Sequence, residues 1–440
     1  MSVSTRSIAG VLADIVGRER VVDDPALLAA AAVDGVTPRW VVRAAVVEHV
    51  AGVLALASEE SLAVIPRGSG SALDLGWPPA RVDVVLDLGG MDRIVEFNPD
   101  DLTASVEAGV TAGAFEARLA PHRQFLPVDP PGVASRTLGG LVATAGHGPL
   151  RARYGTLRDL LLGVRFVQAD GIVTWGGARV VKSVTGYDVP KLMVGALGTL
   201  GVLCELTLRV HPRPEAEATR LAMFDSLEAA GAFLARLLDS SVQPNRVEFV
   251  NGRALRGFGG RRDVPAALAV SVGSVAEAVR AQSVLIDVFA HEAGGSSAPL
   301  PDDFWNLYAA KTAEAGRVMT LLVSSVPSRL AVTVGSVERA LGDLLVGDDA
   351  VIAGCAALGT LDVLLPASVI AVAARLIERV RGSVADVGGH AMLRLAPREI
   401  RREVDPWGAI DPGPLALMRA LRDEFDPGRV LNPGRFVGGL

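Results

Sequence analysis

The sequence predicts an α+β protein in two parts, and three observations support that class. Short apolar runs alternate with amphipathic stretches along the chain, as expected where strands and helices are mixed. The segment from His211 to Glu215 holds two prolines and two charged side chains and is the clearest linker. After this linker, strands and helices alternate in an order that suits an antiparallel sheet with helices on one face.

The composition narrows the functional classes. Half of the 440 residues are hydrophobic and the net charge is −6, which argues against a basic surface for nucleic acid. Cys204 and Cys355 both lie in apolar runs, which disfavours a disulfide framework or a thiolate metal site and is typical of a reducing compartment. No stretch reaches the ~18 uncharged apolar residues of a membrane-spanning helix, and the apolar run near Met1 is too short for a signal peptide. We therefore expect a cytoplasmic protein with large cores.

Hydrophobic periodicity predicts the elements before the linker. Residues 7–16 are expected to form an amphipathic helix that ends at Gly17. Residues 82–88 are apolar at nearly every position, as in a strand covered on both faces. An Asn-Pro-Asp-Asp turn at 98–101 joins two alternating runs, which predicts a hairpin. The other expected elements here are strands at 40–42, 62–66 and 200–210, helices at 47–58 and 112–120, a helical turn at 189–195 and a second hairpin over 163–175.

The linker and a second break at 405–408 divide the chain. We expect an N-terminal helical segment at 1–33, a first domain at 34–211, a second domain at 216–404 and a C-terminal segment at 405–440 that returns to the first domain. The elements expected after the linker are a strand near 220, a helix at 226–239, strands at 246–250 and 266–272, a helix at 275–290, a helix that ends near 381, a strand near 392–395 and a final helix at 414–425.

Two places in the first domain offer backbone N–H groups to an anion. Residues 66–72, Pro-Arg-Gly-Ser-Gly-Ser-Ala, follow a buried strand, and small residues let several N–H groups converge on a phosphate beside the arginine charge. This loop matches neither a dinucleotide fingerprint, which needs Gly or Ala where Leu73 stands, nor a Walker loop. Thr137 can cap a helix whose first N–H groups point outward. On the residues alone, an ordinary turn remains the alternative for the first loop.

These pieces, in this order, resemble the FAD-binding domain of the vanillyl-alcohol oxidase family, which is also called the PCMH-type or FAD-linked oxidase family. The likeness covers about residues 34–211 and 411–436. Residues 177–188 and 388–393 look most like the FAD-binding subunits of bacterial glycolate oxidases. This sequence differs from them at Ser183, where they commonly have asparagine, and in its larger middle region. The matching motifs are residues 66–72, 86–110, 137–140, 153–155 with 158–159, 198–201, and Phe-Asp-Pro-Gly-Arg-Val-Leu-Asn-Pro-Gly-Arg-Phe at 425–436.

The resemblance implies a PCMH-type two-part FAD-binding domain, an α+β substrate cap and a C-terminal return segment. The amides of residues 68–71 would hold the FAD pyrophosphate, residues 137–140 would form a second wall, and residues 201–202 would face the adenine. Neither the first loop nor residues 127–146 contain histidine or cysteine, so FAD is expected to bind without a covalent bond. The residues expected to bind FAD are Pro66, Arg67, Gly68, Ser69, Gly70, Ser71, Pro130, Thr137, Leu138, Gly139, Gly140, Gly146, Lys182, Gly201, Val202 and Asn432.

Three residues are candidates for the chemistry. His390 follows two glycines near the end of the cap, and a flavin dehydrogenase of hydroxy acids needs a base for the hydroxyl proton; the alternative is a structural histidine. Arg394 would share a strand face with His390 and pair with a substrate carboxylate, unless it forms a surface salt bridge. Tyr187 lies with Lys182 and Asp188 in a polar loop. The alternative is that these three side chains only fix the loop through hydrogen bonds. No two of the six histidines show metal-ligand spacing, so no metal is expected.

The resemblance implies an FAD-dependent dehydrogenase or oxidase that oxidises a small 2-hydroxy acid, glycolate- or lactate-like. Hydride would go to flavin N5, and the electrons would pass to a partner. Two alternatives stay open: a non-catalytic FAD-binding electron-transfer or structural subunit of a hydroxy-acid dehydrogenase complex, and a nucleotide-binding module without flavin. The expected partners are the hydroxy acid, a paralogous flavoprotein subunit and an iron–sulfur subunit. Such subunits would provide any membrane association.

Overall fold

The computed structural model describes residues 7–178, 187–258, 264–313, 317–342, 344 and 349–440. The chain begins with helix α1 (Ile8–Val16), at whose start the Gly10 N–H donates to the Ser7 hydroxyl oxygen at 3.2 Å. The helix ends at Gly17, which has φ +92°. The predicted helix and both of its ends are confirmed.

A small mixed sheet follows α1. Its central strand, β4, pairs in parallel with its neighbours β2 and β3. Val84, Val85 and Leu86 of β4 are fully buried, which explains the unbroken apolar run in the sequence. In the described part of the chain the sheet has the order β1-β2-β4-β3, with the strands β1 (Val21–Val22), β2 (Trp40–Arg43), β3 (Val64–Arg67) and β4 (Val84–Asp87).

A second, antiparallel sheet completes the part of the chain before the linker. Both predicted hairpins are confirmed, since its first two strands pair with each other and its strands β8 (Leu161–Val167) and β9 (Val173–Gly177) pair in the same way. Within the described residues its order is β5-β6-β10-β8-β9, with β5 (Ile94–Asn98), β6 (Thr103–Glu107) and β10 (Val202–Arg209). A separate ladder joins β7 (Gln124–Phe125) and β11 (His211–Pro212).

Helices cover the two sheets of this first part. Leu12 and Leu54 are buried in the core of the mixed sheet, and Phe115 and Leu141 in the core of the second sheet. The helices after α1 are α2 (Pro25–Ala30), α3 (Val47–Glu59), α4 (Ala112–Leu119), α5 (Leu138–Ala143), α6 (Arg151–Tyr154), α7 (Leu157–Leu160) and α8 (Val189–Met193).

Beyond the linker lies a third sheet, the large sheet. All of its described strand pairs are antiparallel, and in the described residues it has eight strands in the order β15-β12-β14-β13-β17-β18-β16-β19. The strands are β12 (Ala216–Phe224), β13 (Pro244–Asn251), β14 (Ala266–Ser274), β15 (Ser296–Pro299), β16 (Arg317–Ser324), β17 (Val351–Cys355), β18 (Thr360–Pro366) and β19 (His390–Leu395).

The large sheet carries helices on both faces. Phe249 of β13 belongs to the large core on one face of the sheet. The next residue, Val250, packs on the opposite face with Leu255 and Phe304, which belong to two other helices. The prediction of helices on one face is therefore wrong for these two, because a period-two strand presents apolar residues to both sides. The helices are α9 (Leu227–Leu238), α10 (Gly252–Gly257), α11 (Ala276–Glu292), α12 (Phe304–Thr312), α13 (Leu330–Gly342), α14 (Ala373–Ala385), α15 (Arg398–Glu403) and α16 (Pro412–Phe425), of which α10 and α12 are the two that pack with Val250. The 3₁₀ turns are Arg18–Arg20, Ala120–His122, Val133–Ser135, Pro327–Arg329, Ala356–Leu358, Ala367–Val372 and Val437–Gly439.

After α16 the chain returns to the mixed sheet. The Val64 N–H donates to the Val430 carbonyl at 2.8 Å, and the Asn432 N–H donates to the Val64 carbonyl at 2.9 Å. Arg422 and Asp426, both almost completely buried, form an ion pair of 2.9 Å beside this contact. The final residues therefore lie against β3, next to the loop that follows it.

Polar contacts also join the large sheet to the first part. Arg246 of β13 pairs with Asp129 at 3.1 Å, and Arg401 pairs with Asp34 in a buried contact. Such contacts fix side chains of both parts where the large sheet meets the first part.

Candidate active site

The loop after β3 and the start of α5 form one cavity, which we call the glycine cradle. A Cβ atom on residue 68 would overlap the Thr137 Oγ1 atom and would lie 3.0 Å from the Thr137 Cβ atom. Gly70 has φ +76°, a conformation that residues with a side chain rarely adopt. Both positions therefore require glycine. The cradle is lined by Pro66, Arg67, Gly68, Ser69, Gly70, Ser71, Ala72, Leu73, Leu75, Thr137, Gly140, Ala143, Thr144, Leu197, Asn432 and Arg435.

Two polar groups set the electrostatics of the cradle. Arg67 does not offer the free charge that the sequence predicts, because its guanidinium donates to the Asp87 carboxylate at 2.6 Å. The cation that remains in the cradle is Arg435, which is 4% exposed and has no carboxylate partner within hydrogen-bond distance among the described residues. It donates to the Asn432 side-chain oxygen at 3.2 Å and to the backbone carbonyls of Leu73, Leu75 and Trp77. Burial lowers the pKa of Arg435 to about 10, so it stays charged at neutral pH. The Thr137 hydroxyl accepts the Gly140 N–H at 3.3 Å, which confirms the predicted cap.

A second cavity, the inner cavity, lies between the first part and the large sheet. One chain segment contributes to both cavities, since α5 begins at the cradle and His147, which lines the inner cavity, follows its end. Its volume is about 50 Å³. The lining residues are Pro131, His147, Gly148, Pro149, Arg151, Glu248, Tyr308, Thr312, Leu322, Ala353, Gly354, Cys355, Thr360, Asp362 and Arg394.

Two arginines face the inner cavity. Arg394 donates to Asp362 at 2.7 Å, and its other terminal nitrogen lies 3.3 Å from the His147 Nε2 atom. The Arg151 Nε atom has no hydrogen-bond partner within the described residues. Burial, and then Arg151 and Arg394, lower the pKa of His147 to about 3, so the imidazole is neutral at physiological pH. A neutral histidine beside two guanidinium groups leaves the cavity suited to an anion.

Glu248 and Tyr308 form a hydrogen-bonded pair on the same wall. The Tyr308 hydroxyl donates to the Glu248 Oε2 atom at 2.5 Å, and the Oε1 atom of Glu248 has no partner in the described part of the chain. Burial raises the pKa of Glu248 to about 8, against smaller opposing effects of Tyr308 and Arg151. Such a carboxyl group can hold or release a proton near neutral pH, which is the property that general acid–base chemistry needs.

Comparison with known proteins decides the family. The family described as "FAD binding domain" matches residues 38–177, and the family described as "FAD linked oxidases, C-terminal domain" matches residues 213–315 and 408–436. The chain belongs to the FAD-linked oxidase family. The second match begins within the linker and resumes at residue 408, before the chain returns to the mixed sheet.

Individual relatives of this FAD-linked oxidase agree with the family. The glycolate oxidase subunit GlcD of Bacillus subtilis is 31% identical over 204 residues, which cover 46% of this chain and only 43% of that subunit. An uncharacterised FAD-linked oxidoreductase of Mycobacterium tuberculosis is 26% identical over 441 residues, 91% of each chain. The structure of p-cresol methylhydroxylase has a TM-score of 0.76 at 17% identity and covers 97% of this chain and 95% of its own. That likeness confirms the predicted α+β, PCMH-type fold.

FAD is the cofactor of this FAD-linked oxidase, and the cradle fits it. Two positions that require glycine lie beside the start of α5, and a loop of such small residues suits the oxygens of a pyrophosphate. The buried Arg435 guanidinium lines the same cavity. Of the residues expected to bind FAD, the cradle brings together Pro66, Arg67, Gly68, Ser69, Gly70, Ser71, Thr137, Gly140 and Asn432.

The other expected FAD-binding residues lie elsewhere. Leu138 and Gly139 are buried behind the cradle, Gly139 against Ala108. The Gly201 carbonyl lies 4.0 Å from where a Cβ atom on Gly198 would stand, near the base of the cradle. Their roles stay predictions. Gly146 follows α5, Val202 is buried at the start of β10, Pro130 lines a groove outside the inner cavity, and Lys182 lies outside the described residues.

The structure separates the three candidate catalytic residues. Arg394 lines the inner cavity, as its predicted role requires. His390 is exposed at the first position of β19, four residues or roughly 13 Å from Arg394 along the strand, and does not line the cavity. Tyr187 is 95% exposed. The sequence therefore did not find the histidine and acids of the cavity, although Glu248 and Asp362, each the one acid in an apolar strand, were the available signal.

Three further expectations concern metals, membranes and cysteines. No group of three or more His, Cys, Asp or Glu residues among those described is placed to hold a metal ion. The absence of a metal stays a prediction. Among the same residues, every helix is too short or too polar to span a bilayer. Cys204 and Cys355 are both buried free thiols.

Proposed function

We propose that this FAD-linked oxidase oxidises a 2-hydroxy acid to the corresponding 2-oxo acid. The observation that supports the proposal most strongly is the content of the inner cavity. Arg394 and Arg151 offer guanidinium groups for a carboxylate, and Glu248 offers a proton acceptor within the same small space. The chain segment 137–147 contributes residues to the cradle at its start and to this space at its end. Carboxylate binding and proton acceptance are the two tasks that this oxidation asks of a protein.

Each side chain has one task in this proposal. Arg394 directs one terminal nitrogen to Asp362 and the other to His147, and the N–H groups that these two contacts do not use are available to the substrate carboxylate. Arg151 adds a second positive charge. Neutral His147 fixes the Arg394 guanidinium through the 3.3 Å contact and does not repel it. The Tyr308 hydroxyl holds the Glu248 carboxyl group in one orientation.

The proposed reaction balances with these groups. When bound, FAD supplies the acceptor for the hydride that leaves the substrate carbon. The hydroxyl proton passes to the Glu248 carboxylate, and the C–O bond becomes the carbonyl of the 2-oxo acid. A carboxylate with a pKa near 8 is a stronger base than an ordinary one, and its ionised share rises with pH. Glu248 thus takes the role that the sequence analysis gave to His390.

Anaerobic mixing with hydroxy acids tests the proposed function. We expect the flavin absorbance of the purified holoenzyme to bleach with at least one 2-hydroxy acid and to remain with the matching 3-hydroxy acid, whose hydroxyl group lies one carbon further from the carboxylate. Stopped-flow absorbance measures the rate. Absence of bleaching with every 2-hydroxy acid, with and without partner subunits, would favour a passive FAD-binding subunit instead.

We also propose that the electrons leave through a partner and that FAD is not covalently bound. The relative in Bacillus subtilis is by name a subunit of an oxidase, which suggests a paralogous flavoprotein or iron–sulfur subunit as the acceptor. Two free, buried thiols suit a cytoplasmic location.

Acid precipitation tests the mode of FAD binding. No residue of the cradle is a histidine or cysteine, so we expect all yellow colour to appear in the supernatant. His147 is the histidine nearest in sequence to the cradle and serves as the control. Colour that stays with the wild-type pellet but leaves a His147→Ala pellet would reveal a covalent bond at that residue and contradict the proposal.

A further inference from the structure

A groove lies beside the inner cavity. It lies between the loop at 130–135 and α12, and its volume is about 410 Å³, which is within the range of small-molecule sites. The groove and the inner cavity share four lining residues, Pro131, Pro149, Tyr308 and Thr312. The two spaces therefore lie side by side, with these four residues at their common boundary.

The two spaces differ in size and chemistry. The inner cavity, at about 50 Å³, has room for only about four water-sized groups and is lined by charged side chains. The groove is lined mainly by apolar groups, among them Pro130, Val133, Trp305 and Ala309. A small charged space beside a large apolar one suits a molecule with a carboxylate head and an apolar tail.

One face of α12 forms the wall of the groove. Trp305, Tyr308, Ala309 and Thr312 follow each other at the spacing that places side chains on one side of a helix. The Trp305 indole N–H donates to the Thr219 hydroxyl at 3.0 Å, which fixes the ring in the wall of the groove.

The charges at the end of the groove are already satisfied. Arg246 pairs with Asp129 at 3.1 Å and also with Glu217, and its guanidinium carbon lies 4.9 Å from the centroid of the Trp305 ring. These contacts leave little unpaired charge to attract a second polar group. The tail that suits the groove is therefore uncharged.

We infer that the substrate is a 2-hydroxy acid with an apolar substituent larger than methyl, an aryl or branched alkyl group, which lies in the groove along α12. This inference rests on the proposed function and assigns the substrate class of the same site. Glycolate and lactate would fill the inner cavity and leave the groove to water, whereas a larger apolar tail would gain the free energy of its burial.

Ligand binding tests the groove independently of turnover. Pyruvate and phenylpyruvate are 2-oxo acids that cannot reduce FAD, and calorimetry on the holoenzyme measures their affinities. We expect phenylpyruvate to bind at least about tenfold more tightly than pyruvate, since burying a phenyl group is worth more than one methylene. In Ala309→Phe the new ring fills the groove, so phenylpyruvate should lose about tenfold in affinity while pyruvate changes less than about twofold.

A matched control and the rates complete the test. Ala310 is the next residue of α12, is exposed and does not line the groove, so Ala310→Phe should leave both affinities unchanged. Phenyllactate should bleach the flavin faster than lactate at low concentration. Equal affinities for both 2-oxo acids in the wild type, or equal losses in Ala309→Phe, would overturn the groove as a substrate site. Absence of binding and bleaching with every acid would overturn the proposed function itself.

Discussion

Replacing Glu248 with glutamine is expected to slow the reduction of bound FAD by a 2-hydroxy acid by about 10²- to 10⁴-fold, the usual contribution of a general base. Glutamine keeps the shape of the side chain and an oxygen that accepts the Tyr308 hydroxyl, so the fold and the FAD content should remain. It cannot accept the substrate proton. Stopped-flow bleaching without oxygen measures the rate, and the FAD absorbance of the purified variant measures the cofactor content.

Two further variants distinguish Glu248 as the general base from His390 and Arg394. His390→Gln changes an exposed side chain outside the inner cavity and should reduce FAD at close to the wild-type rate. Arg394→Met removes a contact made in both the ground state and the transition state, so it should mainly weaken substrate binding. If His390→Gln were slow and Glu248→Gln were fast, the assignment made from the sequence would be right and the one made from the cavity wrong.

The pH dependence of stability is a second test of the raised pKa of Glu248. Burial raises its pKa to about 8, against 4.5 without burial. Between these values the unfolded chain has released a proton that the folded chain still holds, so the free energy of unfolding falls as the pH rises. One pKa unit corresponds to ~1.4 kcal/mol, so the effect is on the order of several kcal/mol. Glu248→Gln should therefore gain stability over the wild type from about pH 5 to pH 8, while the contribution of His147 is common to both proteins.

Replacing Gly68 with alanine is expected to remove most of the FAD from the purified protein. The added Cβ atom would overlap the Thr137 Oγ1 atom, so either the loop or the start of α5 must shift away from the phosphate position. Such overpacking costs on the order of 1–3 kcal/mol, which corresponds to a loss of about 5- to 150-fold in FAD affinity. The ratio of flavin to protein absorbance, and titration of the apoprotein with FAD, measure the effect.

Two further variants show whether the overlap is the cause. Gly382 lies in α14 with open space where a Cβ atom would stand, so Gly382→Ala should keep its FAD. The double variant Gly68→Ala with Thr137→Ala removes the overlapping oxygen and should recover part of the affinity. Full FAD content in Gly68→Ala alone would mean that the pyrophosphate binds elsewhere, and circular dichroism checks that every variant is folded.

Local sequence patterns predicted each segment of the cradle separately. The small residues at 68–71, the cap at Thr137 and the motif around Asn432 each have a signature over a few neighbouring residues. The structure brings these segments to one cavity. The charge of Arg67 was misjudged because its partner, Asp87, lies on the neighbouring parallel strand twenty residues away. Arg435 was in the quoted motif, but its burial depends on the return of the chain to β3.

The sequence by itself determined the class of fold, the order of most helices and strands and the likeness to the FAD-linked oxidases, because these depend on periodicity and on local turn chemistry. The tertiary structure decided which side chains share the inner cavity. Glu248 and Asp362 lie on different strands of the large sheet and His147 and Arg151 lie in the first part, so no spacing along the chain relates them. Their neutral or paired states likewise follow from burial between the two parts, which arises only when the large sheet closes on the first part.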